Sequence, residues 1–324
     1  NFHGTDGRCG FMDGFAEDMF LAPEFREGTG YIGPLRESDD VRTKRAKITA
    51  YAEITALRKA NVDRIDRYAD AVINSPSHGQ HHTRPFVQRL LIARQKSKPS
   101  GSSVKILHSP SYPEGKGSPQ IREAIQALKT KGLDIEFIEI TGRPNSEVLE
   151  LIGQCDFVID QLYSDMAMVG FATEAAFFGK PAIVGGYYAA HQQDDLVEEW
   201  IPPTYFCAPE KIEEAIEKLV VDEEFRQDLG AKAREFVETR WFAPRSAERI
   251  IALANGDFPK EWLFDPTQSS YVGGMGLPAQ SVSDIANGII EQHGIGALFL
   301  NDKPIMQAGI AQMGESEADK EPRG

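Results

Sequence analysis

The residues of this chain whose types and surroundings best suit chemistry are a lysine and a glutamate. Lys116 lies in the segment HSPSYPEGKGS at 108–118, which follows an apolar run, and a glycine stands on each side of it. Its ammonium group could balance the charge of a departing phosphate, while the glycines leave room for a ligand. Glu174 lies in the segment FATEAAFFGKP at 171–181, where a carboxylate could accept hydrogen bonds from a ribose. The pair suggests a site for a phosphorylated nucleoside.

The surrounding segment, 157–186, predicts how these groups are positioned. Its sequence is FVIDQLYSDMAMVGFATEAAFFGKPAIVGG. The two apolar runs predict buried strands, and the small residues between them predict a helix over 173–178 that ends at Gly-Lys-Pro. This order places a helix N-terminus at the carboxyl edge of a parallel sheet, where backbone N–H groups can hold a diphosphate. Gly170 and Thr173 are therefore candidate phosphate-binding residues, with Glu174 inside the same helix.

Strand and helix patterns alternate along most of the chain and predict an α/β fold. Strands are expected at 70–76, 104–108, 134–140, 157–160 and 182–184. Helices are expected at 41–68, 119–132, 146–154, 173–178, 209–221, 223–240 and 282–293. Such alternation is typical of a parallel, doubly wound sheet. We expect Ser146 to cap the helix that it begins.

A Lys-, Ser- and Pro-rich linker at 95–103 is the clearest domain boundary. We expect a partial Rossmann-like domain over 1–98, a complete one over 99–255, and a C-terminal extension over 256–324 whose charged tail is partly disordered. The first residues, from Asn1 onward, resemble the exit of a strand. We therefore expect that the natural protein has a longer N-terminal domain.

Composition argues against several classes of function. The 324 residues carry a formal net charge of −14, whereas a nucleic-acid partner requires a basic face. The three cysteines are widely spaced, and the histidines at 78, 81 and 82 lack the carboxylate or cysteine spacing of a metal site. No apolar run approaches the length of a membrane span, and no signal peptide is visible. We expect a cytoplasmic protein without a metal ion or other cofactor.

Other candidate residues carry weaker signals. His3 lies in the segment HGTD at 3–6, where a histidine could orient a hydroxyl or transfer a proton. Ser109 and Ser111 lack a GxSxG setting, so a hydrolase is disfavoured. The loop around Lys116 is not a Walker loop, because GxxxxGK[ST] is absent.

The order of these segments resembles the GT-B nucleotide-sugar glycosyltransferases, especially the large retaining group (glycosyltransferase group 1, or family 4-like) that includes sucrose and mannosyl transferases. The resemblance covers residues 1–8 and 60–254. Its carriers are FHGTD at 2–6, RIDRYADAVINSP at 64–76, EGKG at 114–117, CDFVIDQL at 155–162 and GFATEAAFFGKPAIVGG at 170–186. The first two resemble the later part of that family's N-terminal domain, and the others resemble its C-terminal, nucleotide-sugar-binding domain.

The resemblance implies a GT-B fold of two Rossmann-like domains and transfer of a hexose from a nucleoside diphosphate sugar, with retention and without a metal. The implied catalytic residues are His3 and Lys116, and the implied donor-binding residues are Lys116, Gly117, Gly170, Thr173 and Glu174. Lys116 and the helix amides would hold the diphosphate, and Glu174 the ribose. The acceptor (a glycan, a lipid or a small molecule), the oligomeric state and peripheral association with the inner membrane face are left open.

Two departures from the family pattern keep other functions open. Met166 stands where the family often has a first glutamate, with Asp165 beside it, and His108-Ser109 stands where Gly-Arg is common. These departures favour a non-catalytic GT-B-like binding or scaffold protein, which would turn over no donor. An epimerase on the same fold would release an epimerised sugar instead of a glycoside. A dinucleotide-dependent dehydrogenase is disfavoured because the GxGxxG fingerprint is missing.

Overall fold

The computed structural model describes residues 12, 35–73, 103–273, 277 and 279–310, and the backbone of 85–86. The chain divides into two units: Asn1–Gln88 together with Pro259–Gly324, and Arg89–Phe258. The sequence suggested a separate extension from residue 256, whereas the structure groups Pro259–Gly324 with the N-terminal segment. In the described part of the chain, no helix has both the length and the apolar character needed to cross a bilayer.

The helices and strands are numbered here in chain order. The helices are α1 Val41–Tyr68, α2 Ser118–Thr130, α3 Asn145–Gln154, α4 Gly170–Phe177, α5 Gln192–Asp195, α6 Ile212–Val221, α7 Glu223–Arg240, α8 Ala243–Asn255 and α9 Ala279–His293. The strands are β1 Val72–Ile73, β2 Pro85–Phe86, β3 Val104–His108, β4 Ile135–Glu139, β5 Phe157–Ile159, β6 Ala182–Gly185 and β7 Tyr205–Cys207.

The second unit contains a five-stranded sheet in the order β4-β3-β5-β6-β7, and every pair of neighbours is parallel. The chain runs from β3 outward to β4 and then returns to place β5 on the other side of β3. The strand order therefore reverses between β3 and β5. The α/β fold class predicted from the sequence, with a parallel, doubly wound sheet, is confirmed.

Side chains alternate between the two faces of this sheet, as the period of two in a strand requires. Leu107, Val158 and Val184 pack on one face against α3, α4 and α7. Ile106 and Ile159 pack on the other face against α2 and α6. Burial of a side chain of this size contributes about 1.5–3 kcal/mol. Because β5 and β6 are buried on both faces, they have the continuous apolar sequences from which they were predicted.

In the first unit, α1 and α9 share one apolar core. Ile48 and Tyr51 of α1 pack with Ile285 and Ile289 of α9. At Gly288 the helices approach so closely that an added Cβ would lie 2.5 Å from the Ile48 Cδ1 atom. The unit also contains the parallel pair of β1 and β2. The strand predicted at 70–76 is thus present as Val72–Ile73, and residues 74–84 lie outside the described part.

Two helices begin earlier than the sequence predicted. Helix α3 starts at Asn145 after Pro144, and no side chain caps its N-terminus. The prediction that Ser146 caps this helix is therefore wrong, because Ser146 already lies within the first turn. Helix α4 starts at Gly170, three residues before the predicted start at Thr173. This shift changes which backbone N–H groups are exposed at its terminus.

Candidate functional site

The candidate site lies where the strand order of the five-stranded sheet reverses. The loop at 109–117 leaves the carboxyl end of β3, and the loop at 160–169 leaves the carboxyl end of β5. Ligands of open parallel sheets bind in the crevice outside the carboxyl ends of the strands at such a reversal. Lys116 lies on the first loop, and the second loop leads into α4.

Backbone contacts tie these two loops together at Lys116. The Lys116 amide donates to the Tyr112 carbonyl at 3.0 Å, and the Lys116 carbonyl accepts from the Leu162 amide at 2.9 Å. The next residue, Gly117, has a φ of 74°, and an added Cβ would lie 2.5 Å from the Leu162 Cβ. The glycine predicted to permit close approach therefore packs against the β5 loop in this structure and begins α2.

One buried carboxylate connects Lys116 to the N-terminus of α4. Asp160 follows β5 and is only 1% exposed. One of its oxygens lies 3.4 Å from the Lys116 ammonium nitrogen, and the other accepts from the Ala172 amide at 3.0 Å. Since both groups contact the same small anion, the lysine and the helix terminus converge on one position. The Asp160 carboxylate itself fills that position, so a ligand anion would lie next to it, beside the lysine and the helix terminus.

The structure assigns the N–H groups of the α4 terminus differently from the sequence prediction. The Thr173 amide and the Thr173 hydroxyl both donate to the Val169 carbonyl, each at 2.8 Å, and the residue is buried. Thr173 thus has no donor directed at a ligand. Within the described residues, the backbone amides of Gly170 and Phe171 donate no hydrogen bond. Gly170 is exposed, so these two donors remain available at the terminus.

Glu174 lies on α4 beside the first residue of α3. Its Oε1 atom accepts from the Asn145 side-chain amide at 3.0 Å, and within the described residues its Oε2 atom has no hydrogen-bond partner. Burial raises the pKa of the Glu174 carboxyl above its ordinary value, and the charge on Asp160 adds to this rise, although the Asn145 hydrogen bond opposes it. The side chain is thus held in place with one oxygen available as an acceptor.

His108 is buried beneath this crevice and carries no charge to a ligand. Its Nδ1 atom lies 2.8 Å from the Ile159 carbonyl oxygen, so Nδ1 must hold the proton and donate. Its Nε2 atom then accepts from the Ser118 hydroxyl, also at 2.8 Å. Burial lowers the pKa of His108, and the positive charge of Lys116 adds to this. The hydrogen bond to the Ile159 carbonyl and the charges of Glu139 and Asp160 oppose the lowering without cancelling it. The residue joins the ends of β3 and β5 to the start of α2.

The remaining predicted residues are either outside the described part or bonded within the protein. His3 lies outside the described residues. Met166 is bonded through its own backbone, because its amide donates to the Ser164 hydroxyl and its carbonyl accepts from it. Within the described residues, no group of three or more histidine, cysteine or acidic side chains could hold a metal ion.

Sequence reasoning missed two residues of the site, Asp160 and Asn145. Asp160 stood in the quoted segment CDFVIDQL, and an acid that directly follows a buried strand was the available signal. Asn145 directly precedes the helix predicted at 146–154, and the partner of its amide, Glu174, is 29 positions away in the sequence. No local pattern indicates that contact.

Comparisons with known proteins give no family assignment. No family model and no curated protein sequence matches the chain. A solved structure of HepE from Anabaena in complex with UDP and glucose matches 65% of this chain and 76% of its own, with 12% identity and a TM-score of 0.44. A structure of a TarM mutant from S. aureus, in complex with fondaparinux, alpha-GlcNAc-glycerol and UDP, matches 68% of this chain, with 12% identity and a TM-score of 0.41. The match covers 48% of the TarM chain. At such TM-scores the likeness by itself decides neither the fold nor the function of this chain.

Proposed function

We propose that this protein is a glycosyltransferase that moves a sugar, a hexose in the first instance, from a nucleoside diphosphate sugar to a hydroxyl of a glycan, lipid or small-molecule acceptor. The observation that supports it most is that the Lys116 ammonium and the N-terminus of α4 lie together at the strand reversal, where both contact the Asp160 carboxylate. The family resemblance of the sequence supports the same reaction. The proposal includes retention at the anomeric carbon and no requirement for a metal ion.

The reaction explains why these groups would be needed. The bond between the anomeric carbon and the diphosphate oxygen breaks, and a bond from the acceptor oxygen to that carbon forms. The acceptor proton passes to the departing diphosphate, on which negative charge accumulates. A lysine and a helix N-terminus directed at that charge lower the barrier without a metal ion. Lys116 and the amides of Gly170 and Phe171 would fill this role.

Glu174 would hold the ribose of the donor. Its available Oε2 atom can accept from a ribose hydroxyl, while Asn145 keeps the carboxylate from rotating. A hydrogen bond to a charged group contributes about 1.5–3 kcal/mol, which is enough to fix the orientation of a nucleoside. His3, by the resemblance alone, would lie near the sugar or the acceptor.

The first test is a thermal-shift screen of the purified chain against UDP, GDP and ADP and their sugars. A ligand at about 100 times its Kd stabilises the folded state by about 2.7 kcal/mol, which raises the Tm by roughly 5 °C or more. We expect one nucleotide family to give such a shift, and the glycosyltransferase then to form a glycoside from it. If no nucleotide raises the Tm, the proposed function is overturned in favour of a non-catalytic protein. A free epimerised sugar as the product would identify an epimerase instead.

Glu174→Gln is expected to weaken binding of the sugar nucleotide found in that screen by roughly 10- to 100-fold, because the ribose loses a charged acceptor. In the unsubstituted protein the same affinity should fall in acid, since the ionised carboxylate is the acceptor and its raised pKa lets it protonate at a higher pH than an ordinary glutamate. Isothermal titration with the sugar nucleotide, whose phosphates do not titrate near neutral pH, measures both effects.

Glu147→Gln is the matched control for this prediction. Glu147 lies in the first turn of α3, is exposed, and pairs only weakly with Arg143, at 3.9 Å. Its substitution should change neither the affinity nor its dependence on pH. Equal affinities of the Glu174 variant and the unsubstituted protein across the pH range would remove Glu174 from the donor site.

A further inference from the structure

The position on which Lys116 and α4 converge is already occupied by a charge of the protein itself. Asp160 accepts from both groups, and it cannot leave, because it is 1% exposed and its own amide donates to the Ile183 carbonyl at 3.0 Å. An anionic ligand at Lys116 therefore binds next to a fixed negative charge. Asp160 therefore already neutralises part of the Lys116 charge in the protein without ligand.

We propose that Asp160 is a charge-selectivity residue that disfavours the more highly charged ligand at this site. The inference rests on the proposed function, since it concerns the same donor site. A nucleoside diphosphate ends in a phosphate monoester, which loses a second proton near pH 6, whereas the phosphates of a sugar nucleotide are both esterified. Above pH 7 the free diphosphate thus carries about one more negative charge. Asp160 repels this product more strongly than it repels the donor.

The functional consequence is release of the product. Both ligands share the nucleoside and both phosphates, so contacts with those parts cannot distinguish them. A fixed carboxylate beside the phosphates can, because its repulsion grows with the charge of the ligand. The Lys116 ammonium, 3.4 Å from Asp160 and 23% exposed, remains able to turn toward the ligand when the transferred charge develops.

Asp160→Asn tests this role while it keeps the shape of the site. The asparagine side-chain oxygen can still accept from the Ala172 amide, so the α4 terminus stays capped. The matched control is Asp156→Asn, which removes the same charge at the amino end of β5, where Asp156 accepts from the Lys105 amide at 2.7 Å. Should the Asn variant fail to fold, Asp160→Ser removes the same charge from the same position.

Isothermal titration calorimetry at about pH 8 measures the affinity of each variant for inorganic pyrophosphate. It also measures the affinity for the nucleoside diphosphate and the sugar nucleotide found in the screen. For Asp160→Asn we expect pyrophosphate affinity to rise on the order of 10-fold, and the gain to shrink at high salt. The substitution should raise the affinity for the nucleoside diphosphate several-fold more than it raises the affinity for the sugar nucleotide. The control should match the unsubstituted protein.

Each outcome bears on one proposal. Unchanged or weaker pyrophosphate binding in a folded Asp160 variant overturns the inference, because the carboxylate would then only position Lys116. The inference is also overturned if the affinities for the sugar nucleotide and for the free nucleoside diphosphate rise by the same factor. If pyrophosphate binding rises but no nucleotide binds to any variant, the inference stands for an anion site and the proposed function is the one that fails.

Discussion

Replacing Lys116 with methionine is expected to lower the kcat for release of nucleoside diphosphate from the donor by roughly 10²- to 10³-fold. The lysine is the cation that adjoins the anion position at the strand reversal. Charge on the diphosphate grows as the bond to the sugar breaks, so a cation there is worth more in the transition state than in the donor complex. The affinity for the intact donor should therefore fall much less than kcat. Release can be measured with water as the acceptor, before the natural acceptor is known.

Two variants make this result specific. Lys131→Met removes a lysine at the other end of α2, where the ammonium pairs with Glu213 at 2.7 Å on the surface. It should leave kcat unchanged. Lys116→Arg keeps the charge and should recover a large part of the rate. If the Lys116 and Lys131 variants release diphosphate at the same rate, Lys116 has no part in the reaction, and the α4 terminus must stabilise the leaving group alone.

The sheet of the second unit could be predicted from the sequence because its central strands are buried and consist of apolar residues. β5 and β6 are buried on both faces, so each appears as an uninterrupted apolar run. The loops at the strand reversal followed from this alternation, and with them the neighbourhood of Lys116 and Glu174. Those parts of the fold depend on local pattern.

The parts that the sequence did not predict depend on contacts between distant residues. The start of α4 was placed three residues late, because its first turn contains no capping side chain and the cap comes from Asp160, 12 positions earlier. The packing of α9 on α1 likewise joins segments such as those of Thr49 and His293, which are 244 positions apart. Local propensity carries no signal for either contact, and the first of them alters the candidate site itself.

The contacts of His108 lead to the second large prediction, which concerns stability. His108→Phe is expected to lower the free energy of unfolding by about 2–4 kcal/mol, since the Ile159 carbonyl and the Ser118 hydroxyl both lose their buried partner. The ring itself is replaced by one of similar shape, and the stacking on Phe137 is retained. The loss therefore measures hydrogen bonding rather than a cavity. Denaturant unfolding of both proteins gives the difference.

The pH dependence of that difference separates a buried neutral histidine from a merely large side chain. Burial lowers the pKa of His108 in the folded state, so below the ordinary value of 6.5 the unfolded chain binds a proton that the folded chain does not. The stability that this group contributes is thus complete above pH 6.5 and is lost as the pH falls toward the lowered pKa. The difference in unfolding free energy between the unsubstituted protein and the Phe variant should therefore shrink in acid.

His191→Phe is the control, because this histidine is half-exposed, and its variant should still lose stability in acid as the unsubstituted protein does. For the His108 variant, a difference that stays constant between about pH 5 and pH 8 would mean that the pKa of His108 is the same in the folded and the unfolded protein, whereas a difference that widens in acid would mean that His108 is protonated in the folded protein. A second cation would then lie beside Lys116 and offset the charge of Asp160.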